Sequence, residues 1–313
     1  MSAHPKPQEQ HFLNTHGWSY EQPLAQDGSS RSYARVSKGD QSAILMINEG
    51  NTPGHHVEDF VSISGWLNSI GLNAPEIYEA DGPYFLIEDF GDQTFKKAIE
   101  GGANANELYA LADEVLTTLS VKECPLTLPD YYQSKVHEKR RWIIDYYLPT
   151  VIDVDDIEGV AQEYLNVWEE IERQLPECSQ GFLHIDYHAE NLMWMPDREG
   201  LARVGILDFQ GGMIGPKPYD LANLLEDMRF DVPADIRDNI LTKYDEEFRA
   251  WYRILATQFH CRLVGQIIWW EKEQGKPQYK QYLPRLKNYI HEALKDPLLR
   301  PLKNYFTDIE LDF

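Results

Sequence analysis

The sequence predicts an α+β protein of two lobes: a small antiparallel β-sheet lobe with one main helix, then a larger and mostly helical lobe. Three observations predict it. The chain has 313 residues, beyond the ~250 to 300 at which a single hydrophobic core stops growing. Short apolar strand-like segments separated by turn residues, with one helical pattern among them, fill the region up to Glu88. From Asn106 onward apolar residues recur mainly at helical spacing. The expected division is an amino-terminal lobe over residues 1–88, a linker at 89–92 and a carboxyl-terminal lobe over 93–313.

After a polar leader, Tyr20 to Ala25 reads as a strand, Asp27-Gly28-Ser29-Ser30 as turn chemistry and Tyr33 to Val36 as the returning strand of a hairpin. Ala43-Ile44-Leu45-Met46-Ile47 makes a third strand. Val57, Phe60, Val61, Ile63, Trp66, Leu67 and Ile70 lie on one face of a helix, with Gly71 where its carboxyl-terminal cap belongs. Ile77-Tyr78 and Tyr84 to Glu88 complete the sheet. Beyond Asp89-Phe90-Gly91-Asp92, helices are expected over Asn106 to Val121, Lys135 to Tyr147 and Ile157 to Leu175. Short strands follow at Gly181 to Ile185, Leu192 to Met195 and Val204 to Leu207. The chain is helical again from Tyr219, with a break at Gly275-Lys276-Pro277.

Composition excludes several classes. Lys+Arg 29 against Asp+Glu 51 gives a formal charge of -22, which opposes a sequence-independent grip on nucleic acid or an anionic bilayer. Cys124, Cys178 and Cys261 show none of the paired spacings of zinc sites or disulfide frameworks and read as reduced thiols. Residues Met1 to Gln10 lack the apolar core of a secretory signal, and no apolar run approaches the ~20 residues of a membrane span. A cytoplasmic protein without a nucleic-acid or membrane partner is expected.

The chemistry concentrates in His184-Ile185-Asp186-Tyr187-His188-Ala189-Glu190-Asn191 and, further on, Leu207-Asp208-Phe209. Phosphoryl transfer needs an aligned nucleophile and neutralised phosphates more than covalent chemistry. Asp186 fits the base or orienting group for an attacking hydroxyl. Asn191 offers an amide oxygen, and Asp208 a carboxylate, to Mg²⁺ bridging the phosphates of ATP. Singly, each could be ordinary turn chemistry; the joint spacing, with an apolar strand leading into each carboxylate, selects the catalytic reading. His184 reads as hydrogen-bonded scaffolding. Asp220, at an apparent helix start, reads as a cap or a brace for the metal loop.

Candidate nucleotide contacts lie upstream. The turn Gly28-Ser29-Ser30 could lay backbone N–H groups over phosphates. Alternation puts Arg31, Tyr33 and Arg35 on one strand face, either turned toward a polyphosphate or forming a solvated basic edge. The backbone of Glu88 and Phe90, near the lobe boundary, could pair with the adenine edge or simply form the linker.

Together these residues resemble the aminoglycoside phosphotransferase-like kinases, a branch of the protein-kinase-like fold that phosphorylates small molecules. The resemblance covers both lobes. Asp27 to Val36, Ile44-Leu45-Met46, Leu86 to Asp92, His184 to His188 and Ile206 to Gln210 are most similar to a bacterial group. That group contains the anomeric N-acetylmuramate and N-acetylglucosamine kinases of cell-wall recycling. Gly275-Lys276, Tyr282-Leu283-Pro284-Arg285 and Tyr289 resemble its carboxyl-terminal helices. The resemblance implies ATP and Mg²⁺ as cofactors and an amino sugar as acceptor.

Two departures qualify it. The wider superfamily carries a lysine on the third strand, paired with a helix glutamate; Ala43-Ile44-Leu45-Met46 has none. Arg31 or Arg35 is then the candidate for the lost charge, and Glu58 has no ion-pair role. Ala189-Glu190 also stands where the recycling kinases tend to carry a basic residue. Kinases of an aminoglycoside, choline, homoserine or similar alcohol, and a nucleotide-binding pseudokinase scaffold, stay open as alternatives.

Overall fold

The computed structural model describes residues 4–24, 31–48 and 57–313. The chain runs α1 (Pro7–His16), β1 (Ser19–Pro23), β2 (Ser32–Lys38), β3 (Gln41–Ile47), α2 (Val57–Ser69), β4 (Ile77–Asp81), β5 (Tyr84–Glu88), α3 (Phe95–Glu100), α4 (Ala105–Val121) and α5 (Lys135–Glu138). It continues through α6 (Ile157–Glu172), β6 (Gln180–Leu183), β7 (Leu192–Trp194), β8 (Val204–Ile206), β9 (Met213–Pro216), α7 (Pro218–Leu225), α8 (Ala234–Leu241), α9 (Glu246–Gln274), α10 (Leu283–Ala293) and α11 (Arg300–Asp308). Two compact units result. The first takes in Met1–Thr118, Cys124–Leu126 and Ala189–Gly212; the second takes in Leu119–Glu123, Thr127–His188 and Met213–Phe313.

In the first unit β1 to β5 form an antiparallel sheet in the order β1-β2-β3-β5-β4. The hairpin expected from the sequence pairs Ser19 with Ser37 and Pro23 with Ala34. Ala43, Leu45 and Ile47 of β3 join Phe12, Leu13 and Trp18 in one apolar cluster. Ile44 and Met46 alternate to the other face and are also buried. Both faces of this strand are therefore covered at the place where the superfamily has its lysine.

The helix α1 lies in what the sequence suggests is a polar leader. Its capping signals are present: Glu9 accepts the Lys6 N–H at 2.8 Å, Pro7 opens the first turn and Gly17 closes the helix at φ 75°. Its only buried apolar side chains are Phe12 and Leu13, too few for a helical periodicity to stand out.

The expected linker at 89–92 falls inside the first unit because hydrogen bonds tie it there. Arg35 Nε donates to Asp89 at 2.7 Å and its Nη1 to Asp92 at 3.0 Å. Trp194 N donates to Gln93 O at 2.7 Å, Lys96 N to Ala189 O at 3.1 Å and Ile206 N to Asn73 O at 2.8 Å. These bonds join α3 and the β7–β8 ribbon to the sheet's own unit.

The second unit is helical around α9, buried along much of its length. Trp168, Tyr164, Ile254, Val264, Ile267, Leu286, Leu302 and Phe306 form its core. One continuous helix is expected over Lys135 to Tyr147, but the structure divides it into α5, a 3₁₀ turn at Lys139–Arg141 and a π-turn at Ile143–Tyr147. The cause lies on α9: a Cβ on Gly265 would sit 2.0 Å from the Trp142 carbonyl oxygen, so the backbone approaches α9 more closely than any side chain permits. A two-stranded ribbon of β6 and β9 pairs Leu183 with Met213 and delivers the chain to His184. Among the described residues, no helix is long and apolar enough to cross a membrane.

Candidate active site

Asp186 belongs to the second unit and follows β6. Ile185, just before it, takes φ 76°, a costly conformation for a β-branched residue. The cost is met by Asp220, in the first turn of α7. Its carboxylate accepts His184 N at 2.6 Å and Ile185 N at 2.9 Å, so one side chain fixes both peptide groups leading into Asp186. Asp220 is 1% exposed; burial pushes its carboxyl up to about 7, with the two N–H bonds pulling it down. The brace expected from the sequence exists, and it holds the acid loop.

The Asp186 side chain is half-exposed, and His188 Nε2 stands 3.3 Å from its Oδ1. Surrounding protein pushes the Asp186 carboxyl up, but His188, Arg229 and His184 together hold it well below the usual carboxylate range. For His188 burial pulls the imidazole down, and Asp186 and Asp227 more than restore it, leaving it raised. Asp186 is therefore an ionised acceptor at neutral pH. His184 is buried and its ring lies 5.4 Å from that of Tyr187, edge on.

Asn191 and Asp208 both belong to the first unit, at one end of the β7–β8 ribbon. Leu192 pairs with Ile206, and Leu207 N donates to Asn191 O at 3.0 Å. The ribbon thus sets Asn191 beside the residue that precedes Asp208. Asp208 takes φ 60°, a region that aspartate tolerates. Its neighbour Phe209 is fully buried and stacks on Phe60 of α2 with ring centroids 4.9 Å apart. Gln210 Nε2 donates to Asp208 Oδ1, and Arg31 Nη1 lies 3.7 Å from the same oxygen.

This donor set suits magnesium. One carboxylate and one amide oxygen are hard ligands, and substrate phosphates and waters complete such a shell. Among the described residues no three His, Cys, Asp or Glu side chains cluster as metal ligands, and a site of this composition does not need them.

The nucleotide-side candidates separate. Gly28, Ser29 and Ser30 lie outside the described residues. Arg31 is buried and beside Asp208. Arg35 lies elsewhere: its guanidinium makes four hydrogen bonds to Asp89 and Asp92, which makes it the anchor of the 89–92 segment. Glu88 N donates to Glu76 O at 2.8 Å, and the Glu88 carboxylate pairs with Arg198. Phe90 is buried, with the Arg198 guanidinium 5.3 Å from its ring centre. A Cβ on Gly205 would come within 2.6 Å of the same ring. Glu58 is exposed.

Sequence reasoning passed over His188 as the partner of Asp186, and Arg198 as the residue that gathers Glu88, Asn73 and Phe90. His188 carried a signal, an i+2 imidazole beside a carboxylate. Arg198 carried none, because its partners lie about a hundred residues upstream. Glu190, the departure noted in the sequence, pairs with Lys96 at 2.7 Å.

A five-stranded antiparallel sheet in one unit and a mostly helical second unit are the architecture of the protein-kinase-like fold expected from the sequence. The phosphotransferase enzyme family matches residues 21–256, and the chain belongs to that family. It is similar to the N-acetylmuramate/N-acetylglucosamine kinase of Caulobacter vibrioides, 30% identical with 94% of each chain covered. It is also similar to the kinase of that name from Pseudomonas aeruginosa, 27% identical over 87% of this chain and 83% of the other. Among solved structures, a thermostable mutant of an aminoglycoside phosphotransferase superposes with a TM-score of 0.64 at 15% identity, covering 91% of this chain and 99% of that one. A choline kinase from Streptococcus pneumoniae gives 0.61 at 15% identity, covering 90% and 97%. The α+β kinase fold expected from the sequence is thus found. The chain is a small-molecule kinase, and its family implies ATP as the phosphoryl donor.

Proposed function

We propose that the protein is an ATP- and magnesium-dependent kinase that phosphorylates the anomeric hydroxyl of an N-acetylated amino sugar, in the cytoplasm, within cell-wall sugar recycling. The observation that carries the reading is the Asp186, Asn191, Asp208 spacing, with Asn191 and Asp208 joined through the Leu207–Asn191 hydrogen bond. The acceptor is supported by the names of the relatives above, 30% and 27% identical.

In this reading Asp186 receives the hydroxyl as a hydrogen-bond donor and orients it. A carboxylate held below the usual range is a weak base, so alignment contributes more than proton abstraction; an anomeric hydroxyl, more acidic than an ordinary alcohol, suits it. The Asp220 brace fixes the direction in which Asp186 points. Asn191 and Asp208 would hold Mg²⁺, which when bound with ATP supplies charge neutralisation at the phosphates. We assign to Arg31 the positive charge that the third strand lacks, and to Arg35 a structural role. Gly28, Ser29 and Ser30 would offer backbone N–H groups to phosphate oxygens, and the backbone of Glu88 and Phe90 would meet the adenine edge.

An acceptor panel with Mg-ATP, read by phosphorus NMR, tests the reading. N-acetylmuramate, N-acetylglucosamine, simple hexoses, choline and aminoglycosides are compared. The expected product is an acid-labile anomeric phosphate from an N-acetylated amino sugar. Product from an amino alcohol or aminoglycoside alone would overturn it.

A further inference from the structure

The second unit holds a group of cations that the chemistry above does not use. Lys139 and Arg140 stand on the 3₁₀ turn at Lys139–Arg141, and Arg262 stands on α9. Among the described residues none of the three forms an ion pair with a carboxylate, although the chain carries a formal charge of -22. Such a concentration of like charge disfavours itself. Burial, then the charge of Arg262, lowers the Lys139 ammonium; burial, then Arg140, lowers the His137 imidazole to about 3.

Two polar atoms of the group are buried without a hydrogen-bond partner among the described residues, His137 Nδ1 and Arg140 Nε. The Arg140 Nε always carries its proton, and a buried donor without an acceptor is costly in a protein that folds for itself alone. Aromatic rings adjoin the group: Trp142 and Trp269 lie 5.3 Å apart by ring centroid, with Lys139 Nζ 4.6 Å from the Trp142 ring centre. The close approach of Gly265 to Trp142 holds this turn against α9.

The group is linked to the acid loop. Arg262 Nη2 donates to the Tyr219 hydroxyl at 3.3 Å, and Tyr219 immediately precedes Asp220, which braces His184 and Ile185. Tyr131 joins the other side, its ring 5.0 Å from Tyr219 and 5.3 Å from His137. Cations beside indole faces, one with an unused donor, and linked to the acid loop through Tyr219 and Asp220, match an anionic sugar: indoles take the ring and cations the acid group.

We propose that Lys139, Arg140 and Arg262, with the Trp142 and Trp269 rings, form an acceptor subsite that binds the carboxylate of an acidic N-acetylated amino sugar. This rests on the amino-sugar reading and deepens it. N-acetylmuramate carries such a carboxylate on its lactyl ether; N-acetylglucosamine does not. The subsite therefore makes the acidic sugar the better acceptor.

The test measures kcat/KM for both sugars with the intact protein and its Arg262→Gln, Lys139→Gln and Arg262→Lys variants. The ratio of the acidic to the neutral sugar is expected to fall about tenfold to a hundredfold in Arg262→Gln and Lys139→Gln, through KM, as for loss of a charge-assisted contact. Arg262→Lys restores most of it. Should a variant fail to fold, the parent protein still decides: raising salt from about 0.05 to 0.5 M should raise KM for N-acetylmuramate by roughly threefold and leave KM for N-acetylglucosamine flat. Turnover of both sugars with an unmoved ratio, or with the same salt response for each, removes the subsite and leaves the amino-sugar reading standing. Turnover of neither sugar by the parent removes both.

Discussion

The loop that carries Asp186 and the loop that carries Asp208 each hold a non-glycine residue in the left-handed region, Ile185 at φ 76° and Asp208 at φ 60°, and they hold it by different means. In the first, the strained residue precedes the acid and a buried carboxylate grips two of its peptide groups. In the second, the acid itself takes the left-handed conformation and stays exposed, while the next residue anchors the loop by ring stacking. In the role proposed for Asp186, orienting a hydroxyl needs a fixed direction, which the charge-assisted hydrogen bonds of its loop would supply. In the role proposed for Asp208, following a metal ion and its phosphates needs a fixed position with rotational freedom. A hydrophobic anchor beside it supplies that.

The largest effect should come from the clamped acid. Asp186→Ala is expected to lower kcat by roughly 10² to 10⁴, with some loss of stability because buried His188 loses its partner. Steady-state kinetics with saturating Mg-ATP checks it. Activity within tenfold of the parent would mean that Asp186 neither orients nor deprotonates the acceptor.

Releasing the clamp comes next. Asp220→Ala leaves His184 N and Ile185 N without their acceptor and should cost about 3 kcal/mol of stability, read by urea unfolding, together with a tenfold or larger fall in kcat. The pH dependence carries a sign. With the Asp220 carboxyl pushed up to about 7, lowering pH through that value adds a proton, weakens the grip and should lower kcat with a one-proton slope. Stability moves the other way: between the ordinary value of ~3.9 and about 7 the native state holds the extra proton, so this group's contribution grows as pH falls. In Asp220→Asn both slopes should vanish. A kcat flat from pH 8 to 6 in the parent would break the link between clamp and acid.

On the Asp208 side, two arginines that alternation places on one strand face have separated. Arg31→Ala should raise KM for ATP about tenfold, as for loss of one charged contact. Arg35→Ala should instead leave Asp89, only 6% exposed at its side chain, without its cation, and cost about 2 kcal/mol of stability. Opposite assignments, with Arg35→Ala acting on KM alone, would return Arg35 to the phosphates.

How much was legible follows the same contrast. Asp186, Asn191 and Asp208 stood out as candidates because their spacing along the chain is itself the signal, and the strands leading to them are short apolar runs. The strands of the sheet were visible mainly as short apolar runs bounded by turn residues. What could not be read depends on distant partners: Arg35 with Asp89, Arg198 with Glu88, and Gly265 against the Trp142 carbonyl. That last contact broke a helix that periodicity alone would continue through Tyr147. The helix α1 was hidden for a simpler reason, two buried apolar residues being below what a pattern can show.

The smallest effect tests the anchor of the Asp208 loop. Phe60 and Phe209 stack at 4.9 Å with 24° between ring planes, and Phe60→Leu keeps an apolar side chain while removing the ring. The stack is worth about 1 kcal/mol beyond its buried area, so the stability loss should stay near that figure. If the stack also sets where Asp208 stands, the apparent affinity for Mg²⁺ should weaken by a further two- to threefold, about 0.5 kcal/mol, with kcat at saturating metal unchanged. Phe85→Leu, in the same unit on β5, serves as the control: it should cost comparable stability and leave the metal response alone. Equal metal responses in both variants would show that Asp208 is positioned by the ribbon and Gln210, and that the hydrophobic anchor stabilises the loop without aiming it.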